Sequence, residues 1–222
     1  MKLSIIVPAL DEASGIAATL AALAPLRARG HEVIVADGGS ADGTPALAAP
    51  HSDKVIAAPR GRARQMNAGA AAASGDAFLF LHADTRLPPD ADRLVLAALG
   101  KRRWGRFDVR IDGRSRLLGV VAFFMNWRSR LTGIATGDQA IFVRRDDFAG
   151  FPEIALMEDI AFSKAMKRRG APACLRERAT TSGRRWDRHG VMCTIVHMWR
   201  LRLAYAMGAD PEDLARRYAR TG

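Results

Sequence analysis

Three apolar segments of this sequence end abruptly in acidic residues. Glu12, Asp37 and Asp84 each follow such a segment within a few positions. A short, unbroken apolar run between turn residues is typical of a strand buried on both faces. Because open α/β sheets bind ligands at the carboxyl ends of their strands, we expect the three carboxylates to form a site at one sheet edge. The three runs are Leu3–Pro8, Glu32–Ala36 and residues 77–81.

Asp and Ser also favour helix caps and turns, which is the alternative interpretation of each acid taken alone. We interpret Asp42, in the segment ADGT, in this way. Three acids at the same point of successive strand–helix units are harder to explain by turn chemistry. The pattern therefore favours a binding site over three independent turns.

The first hundred residues alternate predicted strands and helices. This order is typical of a doubly wound parallel sheet with right-handed crossovers. Ser14–Arg29 carries apolar residues on one helical face and is followed by Gly30, which favours a single helix. The other predicted elements of this half are a short helix from about Thr44, a strand at Lys54–Ala57, and helices at Gly61–Ala73 and Asp90–Leu99.

The second half has a different pattern. Arg106–Asp112 alternates apolar and charged residues, which predicts a half-buried strand that is antiparallel or at an edge. Arg114–Arg130 is amphipathic with basic ends, so we expect a helix that packs on the core, with binding to anionic lipid or nucleic acid as the alternative. Further predicted strands are Asp138–Arg144 and Ala173–Arg178, and further predicted helices are Glu158–Arg169, Val191–Met207 and Pro211–Arg220.

Composition limits the classes of protein. The chain has 222 residues, a length that predicts one folded domain. Its net charge of +11 predicts an anionic partner: nucleotide phosphate, a membrane surface or nucleic acid. Cys174 and Cys193 lack metal-type spacing, and the N-terminal apolar run is too short for a signal peptide. The longest later run, Leu117–Met125, falls short of the roughly 20 residues of a membrane span. We expect a cytoplasmic protein, and a peripheral position at the inner face of the membrane stays open.

The order of several motifs resembles family 2 glycosyltransferases of the GT-A fold. The resemblance covers Lys2–Trp186, through PALDE, ADGGSADGT, GRARQMNAGA, FLFLHADT, GDQAIFVRR and MEDIAFSKAMKRRG. HADT, GDQ and SGRRW make the chain look most like a small bacterial branch labelled as arsenosugar-biosynthesis glycosyltransferases. The resemblance implies an α/β fold with a mixed, mainly parallel sheet and helices on both faces. It also implies inverting transfer of a sugar from a nucleotide-diphosphate donor to an acceptor hydroxyl.

The resemblance implies that Asp84 holds a divalent metal, Mn²⁺ or Mg²⁺, on the diphosphate of the donor. The DxD-like motif has His82 in its first position, so this sequence departs from the family pattern. Asp84 would bind the metal alone or together with His82, a ligand better suited to Mn²⁺. The alternative for His82 is a buried, hydrogen-bonded imidazole.

The resemblance also implies a nucleoside pocket. Glu12 would contact a ribose hydroxyl, Asp37 the edge of the base, and Arg62 the diphosphate. Asn67 and Gly69 would allow close packing under the donor, and the alternative for Asn67 is a hydrogen bond within its own helix. The full donor set is Pro8, Leu10, Glu12, Asp37, Arg62, Asn67, His82 and Ala83.

By the same resemblance Asp159 is the base that removes the acceptor proton as the sugar is displaced with inversion. Neighbours on a helix point about 100° apart, so Glu158 and Asp159 cannot both face one atom. Glu158 would cap the helix or orient a neighbour, and the alternative for the pair is the preference of acids for a helix N-terminus. Gly137, Asp138 and Gln139 would line the acceptor side.

Arg184, Arg185 and Trp186 are similar to the QxxRW motif of processive relatives. Ser182 replaces the Gln of that motif, which argues against a polymerising enzyme. A pair of guanidinium groups fits a pyrophosphate or a charged acceptor. The alternative is a cationic loop with a packed Trp.

The expected single domain has a nucleotide-binding half at residues 1–100, an acceptor half at 101–190 and C-terminal helices at 191–222. The expected donor is of UDP or GDP type, the acceptor stays open, and no nucleic acid is expected. A sugar nucleotidyltransferase needs a Gly-rich, Arg-containing phosphate loop after the first strand and a dehydrogenase needs GxGxxG, and the sequence has neither there. The remaining alternative is a non-catalytic basic module that binds anionic lipid or nucleic acid.

Overall fold

The computed structural model describes residues 1–219. Within that range the strands are β1 (Leu3–Ala9), β2 (Glu32–Asp37), β3 (Lys54–Ala57), β4 (Ala77–Phe80), β5 (Thr85–Arg86), β6 (Trp104–Asp112), β7 (Phe142–Arg144) and β8 (Ala173–Ser182). The α-helices are α1 (Ile16–Ala21), α2 (Ala24–Ala28), α3 (Thr44–Ala48), α4 (Arg62–Ala72), α5 (Ala91–Leu99), α6 (Leu117–Thr132), α7 (Glu158–Lys167), α8 (Arg184–His189), α9 (Val191–Ala206) and α10 (Pro211–Ala219).

The strands form one sheet in the order β3-β2-β1-β4-β7-β6-β8-β5. The first four strands of that order are parallel, and β7 joins β4 in antiparallel orientation. The sheet is therefore mixed and mainly parallel, as expected. Because β2, β1 and β4 are adjacent and parallel, their carboxyl ends open at the same edge, which confirms the predicted strand arrangement.

Alternate residues of β1 pack on opposite faces of the sheet. Ile5 and Val7 belong to an apolar cluster with α1 and α5, whereas Ile6 belongs to a second cluster with α4 and α7. Helices therefore cover both faces. At Gly69 a Cβ would lie only 2.4 Å from Cγ2 of Ile6, so the glycine allows α4 to pack closely on β1.

The prediction of one helix over Ser14–Arg29 is wrong. α1 ends at Ala21 and α2 begins at Ala24, with a proline in its first two positions. Pro25 has no N–H to continue a helix from the preceding turn, and its ring would clash with the carbonyl four residues earlier. The proline therefore divides the segment.

The predicted strand over Asp138–Arg144 is reduced to β7. Residues Gly137–Gln139 form a 3-10 turn, in which the Gln139 side chain accepts a hydrogen bond from the backbone N–H of Thr136 at 3.2 Å. Ala140 then has a left-handed backbone with φ of 46°. The turn therefore removes Asp138 from the sheet.

Two other predictions need correction. The segment Arg106–Asp112, predicted as antiparallel or at an edge, pairs parallel with β8, and the antiparallel pairing of β6 with β7 lies just before it, at Trp104 and Gly105. The segment after Ser182 forms the short helix α8, which the sequence did not predict. The prediction that the last helix reaches Arg220 lies outside the described residues.

A buried ionic network fixes α6 on β6. The fully buried Arg106 pairs with Asp108, and Nη2 of Arg130 lies 2.7 Å from the same carboxylate. The Asn126 side chain accepts from the Val109 N–H at 2.8 Å and donates to its carbonyl at 2.9 Å, as a further strand residue would. Among residues 1–219, no helix has both the length and the apolar character needed to cross a membrane.

Candidate functional site

The loops that follow β1, β2 and β4 meet at the carboxyl edge of the sheet. Oε2 of Glu12 lies 3.0 Å from Nη2 of Arg184, and the same nitrogen lies 3.5 Å from Oδ2 of Asp84. The backbone N–H of Asp11 donates to Ser40 Oγ at 2.9 Å, which ties the first loop to the second. The predicted convergence of the strand-end acids is therefore present, with Arg184 between two of them.

Asp37 is engaged with its own loop. Its carboxylate accepts hydrogen bonds from the Gly39 and Ser40 N–H groups at 2.9 and 3.0 Å and from Ser40 Oγ at 2.5 Å. Asp42 caps the next turn through Thr44 as expected, and hydrogen bonding from Thr44 lowers the pKa of Asp42. Asp37 therefore shapes the loop whatever else it binds.

Gln65 holds the first two strand ends together, a role that sequence reasoning missed. Its Nε2 donates to the carbonyl oxygens of Ala9 at 2.7 Å and Ala36 at 3.0 Å. Gly38 packs against the same side chain, where an added Cβ would lie 3.0 Å away. The only sequence signal was the position of Gln65 inside GRARQMNAGA.

Asn67 does not bond within its helix, so that alternative is wrong. Its amide accepts from the Phe151 N–H at 2.8 Å and donates to the Phe151 carbonyl at 2.9 Å. Asn67 thus connects α4 to the segment that leads into α7. Pro8 and Leu10 lie at the end of β1 and just after it, both partly exposed, and Ala83 is buried in the core.

His82 packs tightly against the turn that carries Asp138. Its Nδ1 lies 3.2 Å from Oδ1 of Asp138. Nε2 is buried without a hydrogen-bond partner and faces Gly137, where a Cβ would lie only 2.3 Å from it. Desolvation opposes the charge of Asp138, but His82 and Arg62 hold the pKa of Asp138 below its ordinary value. The interpretation of His82 as a hydrogen-bonded, largely buried imidazole matches this placement.

Glu158 and Asp159 begin α7 and face different partners. Glu158 is buried and lies 3.2 Å from Nη1 of Arg62, and burial raises the pKa of Glu158 although Arg62 opposes the shift. Oδ2 of Asp159 accepts a hydrogen bond from the Gly137 N–H at 3.0 Å. One cavity is lined by Arg62, His82, Gly137, Glu158 and Asp159. Met157 precedes the helix with a left-handed φ of 71°, a strained backbone of the kind found at functional sites.

Two arginines beside this cluster were missed by sequence reasoning. Arg128 of α6 and Arg202 of α9 are partly buried, and buried nitrogens of both lack hydrogen-bond partners within residues 1–219. Burial and the neighbouring Arg202 lower the pKa of Arg128 to about 10. Burial also lowers the pKa of Arg202, against the attraction of Asp159 and Asp138. A pair of poorly compensated cations therefore lies near Asp159.

The structure separates the three residues of the RRW segment. Arg184 reaches the edge with Glu12 and Asp84, whereas the Arg185 guanidinium stacks on Tyr218 of α10 at 3.6 Å from the ring centroid. Trp186 packs on an apolar cluster beneath α6. Only Arg184 joins the predicted site. Gln139 is fully buried behind the turn, and its Nε2 donates to Asn126.

The residues present fit a metal only in part. No group of three His, Cys, Asp or Glu side chains converges as a metal site in the described part of the chain. Asp84 is partly exposed and could supply one carboxylate, while both ring nitrogens of His82 face Asp138 or Gly137. This matches a cation held by one or two carboxylates together with the phosphates of a substrate.

Comparisons with known proteins agree with this fold. S. aureus TarS, solved in complex with UDP-GlcNAc, is similar to this chain with a TM-score of 0.65 and 18% identity, over 82% of this chain and 58% of TarS. Mannosyl-3-phosphoglycerate synthase from Rubrobacter xylanophilus has a TM-score of 0.59 and 20% identity, over 82% of this chain and 66% of that one.

Glucosyl-3-phosphoglycerate synthase from Mycobacterium tuberculosis, solved with Mn²⁺ and UDP-glucose, has a TM-score of 0.61 and 20% identity, over 81% of this chain and 70% of that one. The comparison with curated proteins gave no match. These structural likenesses show the GT-A fold, and this chain spans less than two thirds of the first two structures. The model of glycosyl transferase family 2 matches residues 4–157, more than half of the sequence, and the chain belongs to that family.

Proposed function

We propose that this protein transfers a sugar, with inversion, from a UDP-type donor to a hydroxyl group of an anionic acceptor. The observation that carries the proposal is the position of Asp159. It is the second residue of α7, accepts a hydrogen bond from the Gly137 N–H at 3.0 Å, and shares its cavity with His82, two residues before Asp84. We therefore assign Asp159 as the base and Asp84 as the carboxylate that would bind the diphosphate in the same proposed site.

The donor would lie across the carboxyl ends of β2, β1 and β4. Glu12 would contact a ribose hydroxyl and Asp37 the edge of the base, both within residues 1–100. The TarS and M. tuberculosis structures named above contain UDP-GlcNAc and UDP-glucose, which supports a uridine donor here. Residues 101–190 would bind the acceptor, and residues 191–219 brace α7 through Leu201 and Leu214.

Asp84 would hold a divalent cation together with diphosphate oxygens. Bound there, the cation would neutralise the charge that develops on the leaving diphosphate. Arg184 lies beside Asp84 and Glu12 and would contribute positive charge to the same group. The Mn²⁺ in the M. tuberculosis structure supports this assignment.

Asp159 would act as the base. The acceptor oxygen attacks the anomeric carbon as the bond from that carbon to the diphosphate oxygen breaks, and the acceptor proton passes to Asp159. A single displacement of this kind inverts the anomeric centre. Both carboxylates line the cavity, but Glu158 is buried and paired with Arg62, whereas Asp159 is partly exposed.

The charges around Asp159 support an anionic acceptor. Arg128 and Arg202 repel each other, and desolvation disfavours the charge of both. A phosphate or carboxylate on the acceptor would compensate these charges and place its hydroxyl near Asp159. HADT, GDQ and SGRRW support a place in the small bacterial branch named above, and the two free cysteines suit a cytoplasmic protein.

Calorimetry with UDP, GDP and dTDP, each with and without Mn²⁺, tests the donor site. We expect UDP to bind most tightly and Mn²⁺ to strengthen its binding. Absence of binding for all three nucleotides would contradict the proposal. The alternative, a non-catalytic basic module, predicts salt-sensitive binding of RNA or lipid with no preference among nucleotides.

A further inference from the structure

The exposed apolar side chains of this protein are concentrated on two helices. Thirteen large hydrophobic side chains are exposed within residues 1–219, and all but Met1 and Leu47 lie in α6, in α9 or directly after α9. On the surface of a soluble protein, exposed apolar residues normally occur singly, and a contiguous apolar patch marks an interaction site. The distribution therefore points to a docking surface.

On each helix the exposed residues form a stripe. In α6 they recur every three or four residues, at Leu117, Val120, Phe124, Trp127 and Leu131. In α9 they recur in the same way, at Met192, Val196, Trp199, Leu203 and Met207, the last just after the helix. This spacing places each set on one helical face. We call the two stripes together the α6–α9 face.

Core packing does not account for these stripes. α6 contacts the core through the opposite side, where Leu118 and Ala122 are buried, and α9 does so through Leu201. Val121 of α6 and Val191 of α9 pack against the same apolar cluster, so both helices border this part of the core. Each helix is thus apolar on its outer side as well as its inner side.

The charge of both helices has one sign. α6 contains Arg128 and Arg130, α9 contains Arg200 and Arg202, and neither helix contains an acidic residue. Arg116 and Arg200 are exposed beside the stripes. Basic residues next to Trp, Phe and Leu on a helix suit the boundary between anionic headgroups and acyl chains.

We propose that the α6–α9 face docks on an anionic lipid bilayer. A second copy of the chain is a poorer occupant, because it would bring two surfaces of the same positive charge together. Two tryptophans, Trp127 and Trp199, would lie at the headgroup level, where amphipathic aromatic rings are favoured. The proposal does not depend on the sugar, the metal or the acceptor.

Vesicle binding tests the proposal. We expect the full chain to sediment with vesicles of phosphatidylcholine and phosphatidylglycerol, not with phosphatidylcholine alone, and salt to weaken the binding. Tryptophan fluorescence should shift to the blue on binding, because Trp127 and Trp199 leave water.

Matched variants distinguish lipid binding by the α6–α9 face from non-specific binding by other exposed residues. Trp199→Ser and Phe124→Ser should each lower the partition coefficient about tenfold or more, because each removes a large apolar side chain from the lipid contact. Arg200→Gln should lower it about fivefold. The control variants Leu47→Ser and Arg102→Gln replace an exposed apolar and an exposed basic residue elsewhere and should bind as the unchanged protein does.

Three results would overturn the proposal. One is equal binding by the Trp199→Ser and Leu47→Ser variants, and another is a lack of binding to any vesicle. The third is a stable dimer in sedimentation velocity that Trp199→Ser dissolves, because the face would then belong to a second copy. Melting temperatures of all variants should match, since each substituted side chain is exposed.

Discussion

The Arg184 guanidinium lies 3.5 Å from the Asp84 carboxylate, and the same nitrogen lies 3.0 Å from Glu12, which is 172 residues away in the sequence. The hydrogen bond with Glu12 raises the pKa of Arg184, so this cation is stable at the sheet edge. In the proposed function, a diphosphate at this edge would meet Arg184 and a cation held by Asp84. Arg184 therefore compensates the charges of Glu12 and Asp84 within the protein itself.

We expect Asp84→Ala to abolish the strengthening of UDP binding by Mn²⁺. Asp84 is partly exposed and lies outside the core, so the melting temperature should change little. Calorimetry with and without Mn²⁺ measures the effect. Arg184→Gln is the matched control, because it should weaken UDP binding and keep the Mn²⁺ dependence. Normal Mn²⁺-dependent binding by Asp84→Ala would remove Asp84 from the metal site.

Asp159→Asn should lower turnover by about 10²–10⁴, the usual contribution of a general base. The amide oxygen can still accept the Gly137 N–H, so the melting temperature and the affinity for UDP should change little. Turnover, calorimetry and a melting curve together check this. If Asp159 only caps α7, the variant should keep near-normal turnover, because Asn caps nearly as well as Asp.

Gly137→Ala should displace the backbone turn whose N–H donates to Asp159. The new Cβ would lie 2.3 Å from Nε2 of His82, so the turn or the imidazole must move, and the hydrogen bond to Asp159 moves with it. We expect a lower melting temperature and at least a tenfold loss of turnover. Gly119→Ala is the control, since its Cβ would meet nothing within 4 Å in α6. That variant should gain about 0.5–1 kcal/mol of stability and keep its activity.

Arg128→Gln tests the anionic acceptor. Because burial and Arg202 lower the pKa of Arg128, its charge destabilises the folded state at every pH below about 10. The variant should melt at the same or a higher temperature, yet the KM for the acceptor should rise about tenfold with a smaller change in kcat. Exposed Arg102→Gln is the control. A variant that loses stability and keeps its KM would give Arg128 a structural role only.

The lowered pKa of Glu32 predicts that part of the folding stability is lost in acid. Burial acts against its charge, but hydrogen bonds from Ser74, Ser4 and Lys54 lower the pKa of Glu32 to about 2, from 4.5. Since the folded-state pKa is the lower one, this stabilisation is present above about pH 4.5 and is lost as the pH falls towards 2. We expect Glu32→Gln to lower the free energy of unfolding by about 1–3 kcal/mol at pH 7. Denaturant unfolding at pH 7 and pH 3 should show a smaller difference for the variant than for the unchanged protein.

The strands that carry the site could be predicted because their evidence is local. Apolar runs at β1, β2 and β4 are visible in the sequence, and parallel βαβ units bring their carboxyl ends together. The division of Ser14–Arg29 at Pro25 was also visible, although apolar periodicity outweighed it in our prediction. The turn at Gly137–Gln139 was not visible in the sequence, because Thr136 and Gln139 can cap each other only once the turn has formed.

The sequence by itself therefore determined the fold class, the family resemblance and the edge where Glu12, Asp37 and Asp84 lie. Only the tertiary structure decided that Arg184 joins that edge while Arg185 stacks on α10, and that Arg128 and Arg202 lie near Asp159. The physical reason is the distance along the chain over which each kind of evidence acts. Periodicity and turn chemistry report on neighbours along the chain, whereas contacts between distant helices depend on how each packs against the sheet.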